Sequence, residues 1–272
     1  MTLKHVVHFS GGICSWAAAK RVAERHGTAN MVLLFADTRM EDEDLYRFIG
    51  QAAEEIGVPL TVIADGRTPW QIFRDEKFLG NSRIDPCSKI LKRQLLDRWA
   101  KKNCGPDDEH YIGLDWTELH RLEPFLKAVA PTKFSAPMCD KPYVDKDQML
   151  AALKATGIKV PRLYEMGFPH NNCGGFCVKA GQAHFKLLLE RMPDRYAFHE
   201  AQEEALRAQL GKPVSILLDR RGGAERKRRG EPEGAPMSLR EFRERVQGGQ
   251  AIDEHEWGGC GCALPNPLAD FE

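Results

Sequence analysis

The chain has 272 residues, and its 39 Lys and Arg residues balance its 39 Asp and Glu residues. Because the charges balance, composition neither indicates nor excludes nucleic acid as a partner. No apolar run approaches the roughly 20 residues that span a bilayer, and the N-terminus lacks the features of a signal peptide. We therefore expect a cytoplasmic protein with no membrane partner. In that compartment the eight cysteines indicate metal or redox chemistry more than structural disulfides.

Strand and helix patterns alternate through the first half of the chain. Continuous apolar runs of strand length predict buried parallel strands, and the segments between them predict helices. This alternation is typical of βαβ crossovers in a doubly wound α/β fold with a mainly parallel sheet. The predicted strands are Val6–Phe9, Met31–Asp37, Leu60–Asp65 and His110–Asp115. The predicted helices begin near Trp16, Glu41, Trp70, Ser88 and Trp116.

The pattern loosens in the second half of the chain. Residues 220–237 are charged, rich in Gly and Pro and without a period, which predicts a mobile linker. We therefore divide the chain into an α/β core (1–140), a helical, cysteine-bearing extension packed on it (141–219), the basic linker (220–237) and a C-terminal tail (238–272). Helices are predicted at Asp145–Thr156, Val178–Arg191, Asp194–Gln209 and Ser238–Val246, and a late strand at Val214–Asp219.

The first predicted strand leads into a glycine loop, Ser10-Gly11-Gly12-Ile13-Cys14-Ser15, which we call the Ser10–Ser15 loop. Gly11 and Gly12 let the backbone turn tightly with its amides directed at one point. Ser10 and Ser15 add hydroxyl groups, and the helix that follows adds partial positive charge. These features predict a phosphate-binding nest without the spacing of a Walker loop. The alternative is an ordinary glycine turn between a strand and a helix.

Polar residues also follow two other predicted strands, where ligands of parallel sheets bind. Asp37 and Thr38 follow the second strand, and Asp37 is a candidate acceptor for ribose or adenine donors. Gly113 and Asp115 end the fourth strand, and Arg121 lies one helical turn beyond Glu118. An arginine there matches phosphate oxygens. The alternatives are a role as an N-cap or turn residue for Asp37 and a solvated i,i+3 ion pair for Arg121.

Five motifs follow one another along the chain. They are Ser10–Ser15, Asp37–Thr38, Cys87–Lys92, Gly113–Arg121, and the series from Pro137 through Pro161–Tyr164 and Gly167–Phe168 to Cys173 and Cys177. In this order they resemble the phosphoadenosine phosphosulfate reductase family, within the wider group of N-type (PP-loop) ATP pyrophosphatases and adenine nucleotide α-hydrolases. The chain departs from the family at Arg39, which replaces a glycine, and at Ser88, which replaces the second cysteine of a pair. The family's Glu-Cys-Gly-Leu-His tail is absent, and Cys260-Gly261-Cys262 stands in a comparable place.

The resemblance implies that the Ser10–Ser15 loop holds the β- and γ-phosphates of ATP with Mg²⁺. By the same resemblance Asp37 and Thr38 contact the adenosine, and Gly113 belongs to the nucleotide site. Arg121 and Lys92 would neutralise charge as pyrophosphate leaves. Adenylylated sulfate is the alternative nucleotide.

The resemblance also implies a metal centre. In family members with a [4Fe–4S] cluster, the ligands correspond to Cys87, Cys173 and Cys177, and four thiolates are normally needed. Cys260 or Cys262 would supply the fourth, or an open iron would hold sulfide. A four-thiolate Zn²⁺ site and buried free cysteines are the alternatives.

Three functions follow as hypotheses. The first is an ATP pyrophosphatase that adenylates a substrate and then takes part in sulfur transfer to a nucleic acid or small molecule, supplied by a cysteine desulfurase or another sulfur donor. The second is a reductase of adenylylated sulfate with Cys260 or Cys262 as the attacking thiol. The third is a non-catalytic nucleotide- and metal-binding subunit of a modification or defence complex. The sequence leaves the acceptor and the oligomeric state open.

Overall fold

The sheet at the centre of the fold is built from short segments that run in one direction. In a computed structural model, which describes residues 3–259, the strand order is β3-β2-β1-β4-β5 and all four pairings are parallel. Helices flank the sheet, so the predicted doubly wound α/β fold is confirmed. The strands are β1 (His5–His8), β2 (Met31–Asp37), β3 (Leu60–Ala64), β4 (Glu109–Tyr111) and β5 (Lys133–Ser135).

The strand order reverses at the centre of the sheet. β2 and β3 lie on one side of β1, and β4 and β5 lie on the other. In open parallel sheets this switch point is where ligands bind, beyond the carboxyl ends of the strands. We therefore expect a ligand site to be formed by the segments that follow β1, β2 and β4.

The sequence predicted the bounds of β2 correctly, because MVLLFAD is one continuous buried run. The predicted fourth strand is shorter than expected: β4 ends at Tyr111, and the following residues approach another loop. Strand β5 was missed, because its three residues Lys133–Ser135 carry no apolar run.

The helices have local signals at their ends. Asp42 caps the second helix by accepting a hydrogen bond from the Asp44 amide at 2.9 Å, and Gly57 ends it with a φ of 78°. The helices are α1 (Ile13–His26), α2 (Glu43–Ile56), α3 (Pro69–Asp75), α4 (Pro86–Ser88), α5 (Gln94–Asn103), α6 (Leu119–Val129), α7 (Lys146–Ala155), α8 (Arg162–Glu165), α9 (Gln182–Arg191), α10 (Pro193–Leu210), α11 (Gly223–Arg228) and α12 (Leu239–Gln247). A π-helical turn, Lys89–Arg93, precedes α5. None of the helices in residues 3–259 has the length and hydropathy of a membrane span.

The described chain forms two compact units: residues 3–68 with 88–175, and residues 69–87 with 176–259. The first unit contains the sheet. In its core, the alanine-rich face of α1 (Ala17–Ala19) and Phe48 of α2 are buried with Val7 and Leu33 of the strands. Small side chains on α1 let this helix lie close to its neighbours.

The second unit combines helices with a small antiparallel sheet of β6 (Leu217–Asp219) and β7 (Ala235–Met237). Glu203 of α10 is fully buried there and accepts from the amides of Ile216 at 3.0 Å and Leu239 at 2.6 Å. Burial raises the pKa of this carboxyl group to about 7. Ser238, where the sequence predicted that this helix begins, caps α12 by accepting from the Glu241 amide at 3.2 Å.

The stretch predicted as a mobile linker, residues 220–237, contains α11 and β7. Arg226 explains why a charged, Gly-rich segment is ordered here, because its guanidinium donates to the carbonyl oxygens of Asp219 at 2.6 Å and Arg221 at 2.7 Å. Arg226, one of the basic residues of this stretch, therefore has a structural role within the protein.

The described part of the predicted tail belongs to the second unit. Gly258 pairs with Ala180 in an antiparallel bridge, and the Gly181 amide donates to the Trp257 carbonyl at 3.1 Å. A Cβ on Gly258 would lie 2.3 Å from the Lys179 carbonyl oxygen, so only glycine permits this approach. The tail is thus anchored up to Gly259, whereas Cys260 and Cys262 lie outside the described residues.

Candidate functional site

The Ser10–Ser15 loop lies where the strand order reverses, between β1 and α1. Gly11 has a φ of 79°, and a Cβ there would lie 2.9 Å from Leu45 Cδ1. Gly12 is the N-cap of α1. The Ser15 hydroxyl donates to the Gly12 carbonyl at 2.7 Å. Ser15 therefore shapes the loop, while Gly11 supplies a positive φ at a point where Leu45 leaves no room for a side chain.

Gly113, which follows β4, touches the same loop. A Cβ on Gly113 would lie 2.6 Å from the Ser15 nitrogen and 2.9 Å from the Cys14 carbonyl carbon. No side chain fits against backbone at that distance. The structure thus brings together two of the predicted elements, and glycine is required because two backbone segments meet.

Asp37 is the last residue of β2, Thr38 follows it, and both are buried. Asp37 Oδ1 accepts from the Arg39 amide at 2.8 Å and from the Tyr46 hydroxyl at 2.7 Å. Burial and the hydrogen bond to Asp37 raise the pKa of Tyr46. Asp37 therefore holds the turn in which Arg39 adopts a φ of 58°.

Glu41 is a site residue that the sequence interpretation missed. Its side chain is fully buried and accepts from the Thr38 hydroxyl at 2.9 Å and from the Cys173 amide. The Lys92 ammonium lies 3.7 Å from its Oε1. Glu41 joins three of the predicted site residues through one carboxylate. A Thr-x-x-Glu spacing, the signature of a capping box, was the available signal.

Asn171 joins the same region to the glycine loop. It is fully buried, and its Nδ2 donates to the Gly11 carbonyl at 3.0 Å. Within residues 3–259 its Oδ1 has no hydrogen-bond partner. Two residues later Cys173 adopts a φ of 54° as its amide turns to Glu41. Asn171 therefore fixes the orientation of the peptide between Gly11 and Gly12.

The opposite rim of the loop is formed by residues after β4. Asp115 caps a short turn by accepting from the Thr117 amide at 2.8 Å, and Arg121 pairs with Glu118. Cys14 Sγ lies 3.7 Å from Asp115 Oδ2. Burial and this carboxylate raise the pKa of Cys14 to about 12. The thiol is therefore protonated at neutral pH, which agrees with a packing role for Cys14.

The predicted metal ligands do not form a site within the described part of the chain. Over residues 3–259, no three side chains of His, Cys, Asp or Glu come together as a metal-binding group. Cys177 is buried, and its Sγ accepts from the Lys179 amide at 3.4 Å. Cys260 and Cys262 fall outside this range. The described residues thus give no support to the predicted cluster or to zinc.

No protein-family model matches this sequence, and no curated protein matches it. Solved structures do match. Phosphoadenylyl-sulfate reductase from Candida auris, solved as a phosphate complex, is 14% identical and covers 62% of this chain and 79% of its own, with a TM-score of 0.44. NH3-dependent NAD synthetase from Campylobacter jejuni is 13% identical and covers 76% of this chain and 84% of its own, with a TM-score of 0.38. With both TM-scores below 0.5, the fold assignment rests on the parallel sheet and its strand order.

Proposed function

We propose that this chain is a PP-loop enzyme that binds Mg·ATP and transfers its adenylyl group to a substrate oxygen. The single observation that carries the proposal is the Ser10–Ser15 loop. It is a bare glycine backbone at the switch point of a parallel sheet, followed directly by the N-terminus of α1. Backbone amides and the helix dipole at such a place bind phosphate.

The packing around the loop supports a binding role over a simple turn. A turn on the surface needs only flexible glycines. Here Leu45 leaves no room for a side chain at Gly11, and the Ser15 nitrogen leaves none at Gly113. Asn171 donates a hydrogen bond to the Gly11 carbonyl. A backbone fixed from three sides is preorganised, so binding an anion costs little ordering entropy.

The remaining assignments are proposals of the same kind. Asp37 and Thr38 would contact the adenosine, and Lys92 and Arg121 would face the charge that develops on the phosphates. The acceptor oxygen forms a bond to the α-phosphorus while the bond to the bridging oxygen breaks. Pyrophosphate then leaves with that electron pair. Fixed donors at the loop would stabilise the developing charge.

Sulfur transfer and a cluster held by Cys87, Cys173, Cys177 and a tail cysteine depend on the family resemblance alone. Since the described residues form no group that fits a metal, we derive no step through it. Iron, zinc and sulfide analysis of anaerobically purified full-length protein tests this part separately. Protein with neither metal would remove the cluster and leave the nucleotide site untouched.

Calorimetric titration of the full-length protein with Mg·ATP tests the nucleotide site. Gly12→Asp places a carboxylate where the loop would receive phosphate, and we expect it to abolish binding. The matched control is Gly105→Asp, because Gly105 is exposed and a Cβ there meets no atom within 4 Å. Wild-type protein that fails to bind Mg·ATP, or a Gly12→Asp protein that binds it equally well, would contradict the proposal. Consumption of adenylylated sulfate with a thiol reductant, with ATP inert, would favour the reductase.

A further inference from the structure

Lys146 is the first residue of α7 and lies beside the candidate site, although no sequence motif includes it. Its ammonium lies 4.7 Å from the centroid of the Tyr164 ring and donates a hydrogen bond to the Pro169 carbonyl. Cation–π and carbonyl contacts of this kind orient an ammonium without neutralising it. The position of the charge is therefore fixed by the fold.

Tyr164 connects this ammonium to the glycine loop. Its hydroxyl oxygen accepts from the Ile13 amide, in the first turn of α1, at 3.0 Å. The same oxygen lies 3.7 Å from the place a Cβ on Gly12 would occupy. The Tyr164 side chain thus contacts both the Lys146 ammonium and the first turn of α1, where the amides proposed to bind phosphate lie.

Within the described part of the chain, the ammonium of Lys146 has no close counterion. Its side chain is partly buried, and burial lowers its pKa, an effect that Cys14, Asp115, Glu118 and Asp147 oppose. Within residues 3–259 none of these carboxylates comes within 4.0 Å of the ammonium to form an ion pair. A partly desolvated cation without a paired anion is unfavourable. The location at the N-terminus of α7 adds to this cost, because the helix dipole there disfavours positive charge.

The two cations that the sequence suggested differ in this respect. Lys92 lies 3.7 Å from the buried Glu41 carboxylate, and Arg121 pairs with Glu118. Their charges are balanced within the protein. An incoming phosphate would have to compete with those carboxylates, whereas Lys146 can interact with an anion directly.

We propose that Lys146 binds a phosphate group of the anion held by the Ser10–Ser15 loop, at the pyrophosphate end of the nucleotide. The proposal rests on the proposed function and adds a residue to it. Lysine suits this place because its ammonium acts as a point charge that follows the phosphate as it leaves.

Titration of the full-length protein with inorganic pyrophosphate at low ionic strength tests the proposal. Lys146→Met keeps the length and apolar part of the side chain, and we expect binding to weaken about 10- to 100-fold, the range of a charge-assisted hydrogen bond. Lys146→Arg should recover most of the loss. Lys154→Met is the matched control, since Lys154 is exposed at the other end of α7 and should bind as wild type does.

A second measurement uses wild-type protein and separates binding from folding. Pyrophosphate should protect Lys146 from an amine-acylating reagent, read by mass spectrometry, and leave Lys154 equally reactive. A purely structural role of Lys146 predicts that pyrophosphate gives it no protection from the reagent. Wild-type affinity in Lys146→Met, or unprotected Lys146, overturns the inference while the loop assignment stands. Wild-type protein that binds neither pyrophosphate nor Mg·ATP overturns both.

Discussion

Gly113→Ala is the sharpest test of how the site is assembled. The new Cβ would lie 2.6 Å from the Ser15 nitrogen, 2.8 Å from its Cα and 2.9 Å from the Cys14 carbonyl carbon. All three atoms belong to the backbone at the start of α1, so no rotamer change relieves the contact. Either the segment after β4 or the glycine loop has to move.

The magnitude follows from the packing. Adding atoms to a filled interior costs about 1–3 kcal/mol, and the upper half of that range applies because backbone must shift. Gly50→Ala provides a control of opposite sign. Gly50 lies inside α2, and a Cβ there meets nothing within 4 Å. Alanine should therefore stabilise the protein by about 0.5–1 kcal/mol, the usual glycine penalty in a helix.

Urea denaturation followed by tryptophan fluorescence measures both variants, and titration with Mg·ATP measures the site. We expect Gly113→Ala to lower the denaturation midpoint and to weaken ATP binding by more than tenfold, whereas Gly50→Ala should raise the midpoint and leave binding unchanged. A Gly113→Ala protein with wild-type stability and wild-type affinity would refute the close approach of the two backbone segments.

Three further predictions concern the Ser10–Ser15 loop, the buried carboxylate of Glu41, and His8 in the sheet. Gly11→Ala should lower the free energy of unfolding by about 1–2 kcal/mol because the φ of Gly11 is 79°. Gly12→Ala should change it by less than about 0.5 kcal/mol, and thermal denaturation of the two variants measures the difference. Glu41→Gln should lower the free energy of unfolding by about 2–4 kcal/mol, because it removes the buried carboxylate that lies 3.7 Å from the Lys92 ammonium, whereas Glu43→Gln, at an exposed position, should not. Burial lowers the pKa of His8 to about 3, so the unfolded state binds more protons below about pH 6.5. Stability should therefore fall by about 2 kcal/mol between pH 6.5 and 5, and a His8→Gln protein whose urea midpoint falls as steeply with pH would contradict this.

The parts of the fold that follow from local patterns could be predicted from the sequence. The continuous apolar run MVLLFAD fits either a buried strand or a short segment of a buried helix. The alternation of strand and helix patterns along the chain favours the strand. The glycine pair after β1 predicted the loop, and Ser238 predicted the start of α12. Each of these signals lies within a few residues of the structure that it determines.

The contacts that complete the candidate site lie far apart in the sequence. Asn171 contacts Gly11 across 160 positions, and Cys173 contacts Glu41 across 132. Neither pairing leaves a local pattern. Lys146 looks like an ordinary polar residue at the start of a helix, and only its place over Tyr164 distinguishes it. Strand β5 was missed for the same reason, because its pairing with β4 rather than its own composition makes it a strand.

The division of residues between the two units separates the proposed nucleotide site from Cys87 and Cys177, two of the predicted metal ligands. The loop, Asp37, Lys92, Gly113 and Arg121 all belong to the unit with the sheet, whereas Cys87 and Cys177 belong to the other unit. The nucleotide binding that we propose would therefore depend on contacts within one compact unit, and the substitutions above test those contacts. Since they involve neither Cys87 nor Cys177, a chain that binds Mg·ATP without iron or zinc would still satisfy the geometry on which the adenylation proposal rests.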